Sequence, residues 1–275
     1  IGGGVVISRY FGAQDKANIQ KAIHTDVFFG LVASVIATVV GLLIVPKLLV
    51  WMKTPAEVLP YSLQYFRIYF GGVTTIVLYN VCMSIMQAQG DSLRPLYYLA
   101  ISSAANVVLD LLFVAVIPWG VTGAAVATVL AQGLSVVLCL RRMCREPEEH
   151  LRLNFRLVRW DKDMMARIIR QGLPTGVQNA VISLGNVVIQ SNVNSFGAYA
   201  MSGLGAYSKV EGFAFLSVTA MSMTLPTFVS QNLGAGNISR AKKGAVFGCL
   251  TGMAAAELTG IVMFVFIPQL LTLFI

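Results

Sequence analysis

Long apolar runs, separated by short charged breaks or breaks that contain Pro and Gly, make up most of the chain. A helix rises 1.5 Å per residue and needs about 20 apolar residues to cross a bilayer, and seven runs reach this length. The predicted spans are 27–51, 62–88, 95–117, 121–140, 168–195, 203–229 and 245–270. Residues 1–8 are apolar from the first position and are expected to be the end of a further helix. The pattern therefore predicts an all-α, polytopic membrane protein.

Lys and Arg are concentrated in alternate connections between these spans. The turns at 118–120 and 196–202 contain neither residue. The rich connections are 8–26, 89–94, 141–167 and 230–244. Cytoplasmic loops carry an excess of Lys and Arg, so these four are predicted to be cytoplasmic and the protein to be a multi-pass protein of the cell (inner or plasma) membrane, in contact with membrane lipid.

Composition narrows the functional classes. The chain is 56% hydrophobic and 12% charged, where soluble domains carry about 25% charged residues, so no separate soluble domain is expected. Topology accounts for the net charge of +8, and no nucleic-acid partner is expected. The only histidines, His24 and His150, lie in polar connections, and the four cysteines lack CxxC spacing. Neither a metal centre nor any other cofactor is expected.

An internal repeat appears when the sequence is shifted by 222 positions. The shift aligns Ser8, Gly12, Ala13, Lys21, Pro46, Leu48 and Leu49 with Ser230, Gly234, Ala235, Lys243, Pro268, Leu270 and Leu271. Six spans lie within one period, and an even number returns the chain to the same side of the membrane. The halves are therefore predicted to be parallel repeats, related by an axis along the membrane normal.

The repeat predicts two six-helix lobes and twelve helices in the intact protein, of which this chain holds seven and a stub. The N-terminal lobe is placed at 1–150, with a cytoplasmic linker at about 141–165, and the C-terminal lobe at 166–275. The register predicts roughly 60 further residues before this chain and roughly 90 after it.

Ionisable residues inside predicted spans are functional candidates, because a charge in the membrane costs several kcal/mol. They are Asp110, Glu211, Lys209 and Glu257. Asp110 follows Asn106 by four residues, which places both on one helix face. Counted from Trp119, Asp110 and Thr128 are equally distant and are expected at one depth. Their oxygen atoms would suit Na⁺, and a buried carboxylate would equally suit a proton; the alternative is that Asp110 only fixes helix packing.

A polar stripe follows one face of the predicted span 168–195. Its members are Asn179, Ser183, Asn186 and Gln190. Such a stripe must face protein or water, so it is expected to line a central cavity or, alternatively, to hydrogen-bond to other helices. Glu211 is a candidate for attracting cationic substrates, and an ion pair with another helix is the alternative.

Several segments in fixed order resemble multidrug and toxic compound extrusion (MATE) transporters. They are FGAQD (11–15), QAQGDSLRP (87–95), NVVLDLLFV (106–114), GVTGAAVAT (120–128), QGLPTGVQNAVISLGN (171–186) and LGAGN (233–237). The resemblance covers nearly the whole chain, as the third to ninth helices. It implies a monomeric antiporter that couples Na⁺ or H⁺ entry to export of small organic, often cationic, compounds by alternating access. It also implies a cation site formed by Asn106, Asp110 and Thr128 with an Asp on the first helix, which is not in this chain.

Three other functions fit this sequence less well. A flippase for lipid-linked oligosaccharides shares the two-lobe plan but would need a more cationic interior than Lys209 and Arg67 offer. A membrane enzyme would need a nucleophile and base or a metal set, and no HExxH or GxSxG motif is present. A channel would need a filter-like loop or a repeated charged ring. A transporter, not an enzyme, is predicted.

Overall fold

The computed structural model describes the backbone of residues 1–52, 54 and 57–272, and the side chains of these residues apart from 198, 206, 209, 210, 213, 214 and 267–272. Every regular element within this range is helical, which confirms the predicted all-α fold. The helices are α1 (Gly2–Gly12), α2 (Lys16–Trp51), α3 (Leu59–Gly71), α4 (Val73–Ala88), α5 (Leu93–Asp110), α6 (Gly120–Cys144), α7 (Lys162–Asn194), α8 (Ala198–Ala214), α9 (Leu216–Gly234) and α10 (Ile238–Thr272). A π-helical segment (Leu111–Val116) continues α5, and a 3₁₀ turn (Phe155–Leu157) precedes α7.

Each predicted span corresponds to one helix or to two consecutive helices. Helices α2 and α7 begin earlier than the apolar runs predict, because Asp15 and Asp161 cap them. The Asp15 carboxylate accepts the backbone N–H of Asn18, and the Asp161 carboxylate accepts that of Met164. Capping satisfies N–H groups that the first turn leaves free, so helix formation extends into the charged connection.

Among the described residues, four helices are long and apolar enough to cross a membrane, and there are five spans if α3 and α4 are taken together. They are Lys16–Trp51, Leu93–Val116, Gly120–Cys144 and Ile238–Phe266. The α3–α4 pair bends by 47°, with Gly72 between the two helices.

The core of the first half lies between α1, α2, α4 and α6. Its fully buried side chains include Ile7, Ile19, Ile23 and Ile85. Burial of one such side chain stabilises a structure by about 1.5–3 kcal/mol. The linker and the start of α7 join this core through Leu151, Leu153, Met164 and Ile168. The outer faces carry large apolar side chains such as Val35 and Leu43, which suits contact with lipid.

The helix boundaries repeat with the same offset as the sequence. Helices α1 and α9 end at Gly12 and Gly234, and α2 and α10 begin at Lys16 and Ile238, each pair 222 positions apart. Helix α1 also packs along α9. The two copies of the repeated element therefore meet each other.

Candidate functional site

Asn106 and Asp110 lie on the α5–α6 hairpin, half-buried. Asp110 is the last residue of α5, directly before the π-helical segment. Within the part of the chain that the structure describes, neither the Asn106 Nδ2 nor the Asp110 Oδ1 atom, both buried, has a hydrogen-bond partner. A buried polar atom without a partner costs about 1–3 kcal/mol, and π-helical turns occur frequently at functional sites. The hairpin therefore holds polar atoms that a ligand or another helix could satisfy.

Two contacts fix the register between α5 and α6. The Ser102 hydroxyl donates to the carbonyl oxygen of Ala131, and Gly123 packs against Phe113. Interpolation between these contacts places Thr128 level with Asn106, and Asp110 about one helical turn nearer the connection at 118–120.

Asp110 and Thr128, which the sequence places at one depth, thus differ in depth by about one helical turn. A π-helical segment takes more residues per turn than an α-helix, so nine residues on the two sides of Trp119 do not span equal heights. The Thr128 hydroxyl donates to the Ala124 carbonyl oxygen at 2.9 Å, which leaves its own oxygen free to accept a hydrogen bond or contact a cation.

The polar stripe of α7 is largely exposed. Asn179, Ser183 and Asn186 are exposed, and Gln190 is half-buried, with its Nε2 atom donating to the Asn194 Oδ1 atom at 2.8 Å. Exposure of these three side chains fits both a water-filled cavity and contacts with another helix.

Glu211 is half-buried on α8. Its Oε1 atom accepts the Tyr207 hydroxyl at 3.3 Å. The side chain of Lys209 lies outside the described residues. Glu211 thus has a hydrogen-bonding partner one turn away on its own helix. The Tyr207 hydroxyl is neutral, so this hydrogen bond places no opposite charge beside the carboxylate.

Asp26 is an acidic residue that the sequence interpretation missed, because it was assigned to the charged connection 8–26. Helix α2 already begins at Lys16, and Asp26 is 5% exposed. It shares a helix face with the buried residues Ile19, Ile23 and Gly30. This spacing of three, four and seven residues was the signal that could have placed Asp26 inside the protein.

The contact between α1 and α9 is close and nearly symmetric. A Cβ atom at Gly12 would overlap the Gln231 backbone carbonyl, and one at Gly234 would overlap the Arg9 carbonyl. Arg9 and Gln231 are themselves 222 positions apart. The Ser230 hydroxyl adds a hydrogen bond to the Val5 carbonyl oxygen at 2.6 Å. Glycine is required at both positions because backbone meets backbone.

For metal binding, no group of three or more His, Cys, Asp or Glu residues is suitably placed within the described part of the chain. A monovalent cation could still be held by the oxygens of Asn106, Asp110 and Thr128, since amide, carboxylate and hydroxyl oxygens are ligands for hard cations.

The sequence and the fold of this chain are both similar to those of known proteins. The MatE family model matches residues 1–112 and 174–275. The probable multidrug resistance protein YpnP of Bacillus subtilis is 30% identical over 238 residues, which cover 86% of this chain and 52% of the relative. The probable multidrug resistance protein YoeA of the same species is 25% identical, covering 100% of this chain and 60% of the relative.

A solved structure of a MOP superfamily transporter from Pyrococcus furiosus has the same fold. It superposes with a TM-score of 0.85 at 21% identity, covering 99% of this chain and 61% of the other. The chain thus spans between about half and three fifths of the length of these three proteins.

Proposed function

Because the chain belongs to the MatE family, we propose that the protein is a secondary transporter that exports small organic compounds from the cell in exchange for Na⁺ or H⁺. The family is one of transporters, so the expectation of a transporter and not an enzyme is confirmed at that level. Export of drug-like compounds is supported by the names of the relatives YpnP and YoeA, both called probable multidrug resistance proteins.

The coupling step is proposed at the α5–α6 hairpin. The main supporting observation is the buried Asp110 Oδ1 atom, an acceptor that lacks a partner among the described residues. Asn106 lies one helical turn earlier and could add its amide oxygen. A cation or proton bound by Asp110, with Asn106 and Thr128 nearby, would neutralise the carboxylate. An ion that binds one conformation more tightly than the other shifts the equilibrium between them by that difference in affinity, which couples its entry to export.

The substrate path is proposed along α7 and α8. The exposed stripe of Asn179, Ser183 and Asn186, with Gln190 and the carboxylate of Glu211, offers hydrogen-bonding groups and one negative charge. This combination favours small organic cations. The protein is proposed to act as a monomer in the plasma membrane, with 8–26, 89–94, 141–167 and 230–244 on the cytoplasmic side.

The test is efflux of an organic cation from vesicles that contain the purified protein, under a Na⁺ gradient and a H⁺ gradient in turn. Asp110→Asn keeps the shape of the side chain but cannot ionise, so coupled efflux should be lost. Asp163→Asn is the matched control, because Asp163 is exposed on the first turn of α7. Undiminished efflux by the Asp110→Asn variant under both gradients would reject the coupling role.

The oligosaccharide flippase is not favoured. Arg67 is exposed on α3, and both relatives described above are named for multidrug resistance.

A further inference from the structure

Two basic side chains line a groove near the start of α2. The groove lies between α2 and the linker that leads to α7, and it encloses about 200 Å³. Lys21 and Arg159, one from each side, are exposed and form no ion pair within the described residues. Asp161, the acid that lines the groove, accepts the Met164 N–H at 2.9 Å as the cap of α7. With two basic groups and one acid, the groove carries a net positive charge.

The linker is held against α2 by three separate contacts. Val158 packs on the buried core, and the Asn154 backbone N–H donates to the Nε2 atom of the buried His24 ring at 3.0 Å. The rings of Trp160 and Phe28 are nearly perpendicular, with their centroids 6.0 Å apart. Trp160 is nevertheless 56% exposed. The two sides of the groove are thus fixed relative to each other, with the outer face of the indole ring free.

The groove opens on an exposed apolar face of α2. Four residues follow Lys21 on its own face of the helix, at successive spacings of seven, four, three and four residues: Phe28, Val32, Val35 and Val39. The three valines are exposed, which suits contact with lipid. One continuous face of α2 therefore changes from basic at Lys21 to apolar from Phe28 onward.

The groove has the depth of lipid headgroups. Phe28 lies at the start of the apolar run of α2, and the lining residues Thr25 and Lys21 precede it by about 4.5 Å and about 10 Å along the helix axis. The headgroup region extends about 5–7 Å beyond the hydrocarbon on each side of a bilayer. Tryptophan is enriched at this boundary, where Trp160 lies beside Phe28. The basic groups of the groove are therefore level with lipid phosphates.

We propose that this groove binds the headgroup of an anionic phospholipid, in the leaflet that is cytoplasmic in the proposed topology. The phosphate lies between Lys21 and Arg159. An acyl chain follows Trp160, Phe28 and Val32 along α2. A soluble phosphate ester would gain nothing from the apolar face that continues from the groove, whereas a phospholipid has its charge and its apolar chains in this order. The inference concerns lipid binding alone, so it does not depend on the proposed transport.

The test measures contact between Trp160 and lipid in phosphatidylcholine nanodiscs that contain the purified full-length protein. Either brominated phosphatidylglycerol or brominated phosphatidylcholine is titrated in, because bromine on the acyl chains quenches tryptophan fluorescence on contact. The Trp160 signal is the difference between the wild type and Trp160→Phe, which keeps an aromatic ring beside Phe28. Half-maximal quenching of the wild type should need an about fivefold lower fraction of brominated phosphatidylglycerol than of brominated phosphatidylcholine, as expected for one net positive charge at the membrane surface.

Two double variants separate the groove from the charge of the surface as a whole. Lys21→Gln/Arg159→Gln removes both basic groups from the groove and should abolish the preference for phosphatidylglycerol. Lys16→Gln/Arg152→Gln is the matched control, because it makes the same two changes on α2 and on the linker at exposed residues outside the groove. The control should keep the wild-type preference. All four side chains are exposed, so both variants should fold.

Three outcomes would overturn the proposal. The first is equal quenching of the wild type by the two brominated lipids. The second is the same loss of preference in both double variants, which would show attraction by the surface charge as a whole. The third is relief of the quenching by millimolar glycerol 1-phosphate, which would assign the groove to a soluble phosphate ester.

Discussion

Gln14 and Gly236 occupy the same left-handed position in two matching turns, 222 residues apart. Their φ angles are 56° and 76°. Both turns are closed by the same hydrogen bonds: the Asp15 N–H donates to the Tyr10 carbonyl oxygen at 3.0 Å, and the Asn237 N–H donates to the Asn232 carbonyl oxygen at 2.8 Å. The repeat is therefore preserved in backbone conformation as well as in helix boundaries.

The first prediction concerns the strain at Gln14. A left-handed backbone costs a residue with a Cβ atom roughly 1–2 kcal/mol, and the Gln14 side chain offsets part of this through its hydrogen bond to the Phe11 carbonyl oxygen. Gln14→Gly should thus raise stability by up to about 1 kcal/mol, and Gly236→Gln should lower it by about the same amount, as measured by thermal unfolding in detergent.

Gly71→Gln is the control for that experiment. Gly71 is the last residue of α3, without a positive φ, and a Cβ atom there meets nothing within 4 Å. Equal effects of Gly236→Gln and Gly71→Gln would show that the turn conformation is not the cause.

The second prediction concerns the seam between α1 and α9. Gly12→Ala would place a methyl group on the Gln231 carbonyl, so the helices must separate, at a cost of about 1–3 kcal/mol. Pulsed electron paramagnetic resonance between spin labels at Asn18 and Arg240, in a cysteine-free background, should report a longer mean distance. Gly133→Ala is the control, since the nearest atom to its new methyl group is 3.9 Å away; the same distance distribution in both variants would contradict the prediction.

The third prediction concerns the linker between the halves. The Asn154 backbone N–H donates to the His24 Nε2 atom at 3.0 Å, and the His24 Nδ1 atom lies 2.6 Å from the Gln20 carbonyl oxygen. The buried imidazole therefore ties the linker to α2. His24→Phe keeps an aromatic ring but removes the acceptor, which leaves a polar group unpaired at a cost of about 1–3 kcal/mol.

Limited trypsin digestion measures this effect, because Arg152, Arg156 and Arg159 lie in the linker. Cleavage should be faster by at least about fivefold in His24→Phe. His150→Phe is the control, as its ring contacts only the Glu148 carboxylate at 3.3 Å among the ion pairs and hydrogen bonds of the described residues. Equal cleavage of both variants would reject a tethering role for His24.

The sequence predicted the candidate site only in part. The spacing of Asn106 and Asp110 places them on one helix face because an α-helix has a fixed period. The level of Thr128 depends on a π-helical segment between Asp110 and the turn, and no simple apolar pattern marks that segment. Asp26 was missed because it directly precedes the predicted span 27–51, and a charged residue in that position is usually assigned to the connection.

By itself, the sequence determined the all-helical class, the approximate place of each apolar span and the register of the repeat. The length of an apolar run can be compared with the thickness of a bilayer, and residues that match at a fixed offset can be found, from the sequence alone. Only the tertiary structure decided that Gly12 and Gly234 lie at a backbone contact and that Asp26 is buried. These features depend on which helices pack together, and the burial of a side chain is a property of its neighbours in space.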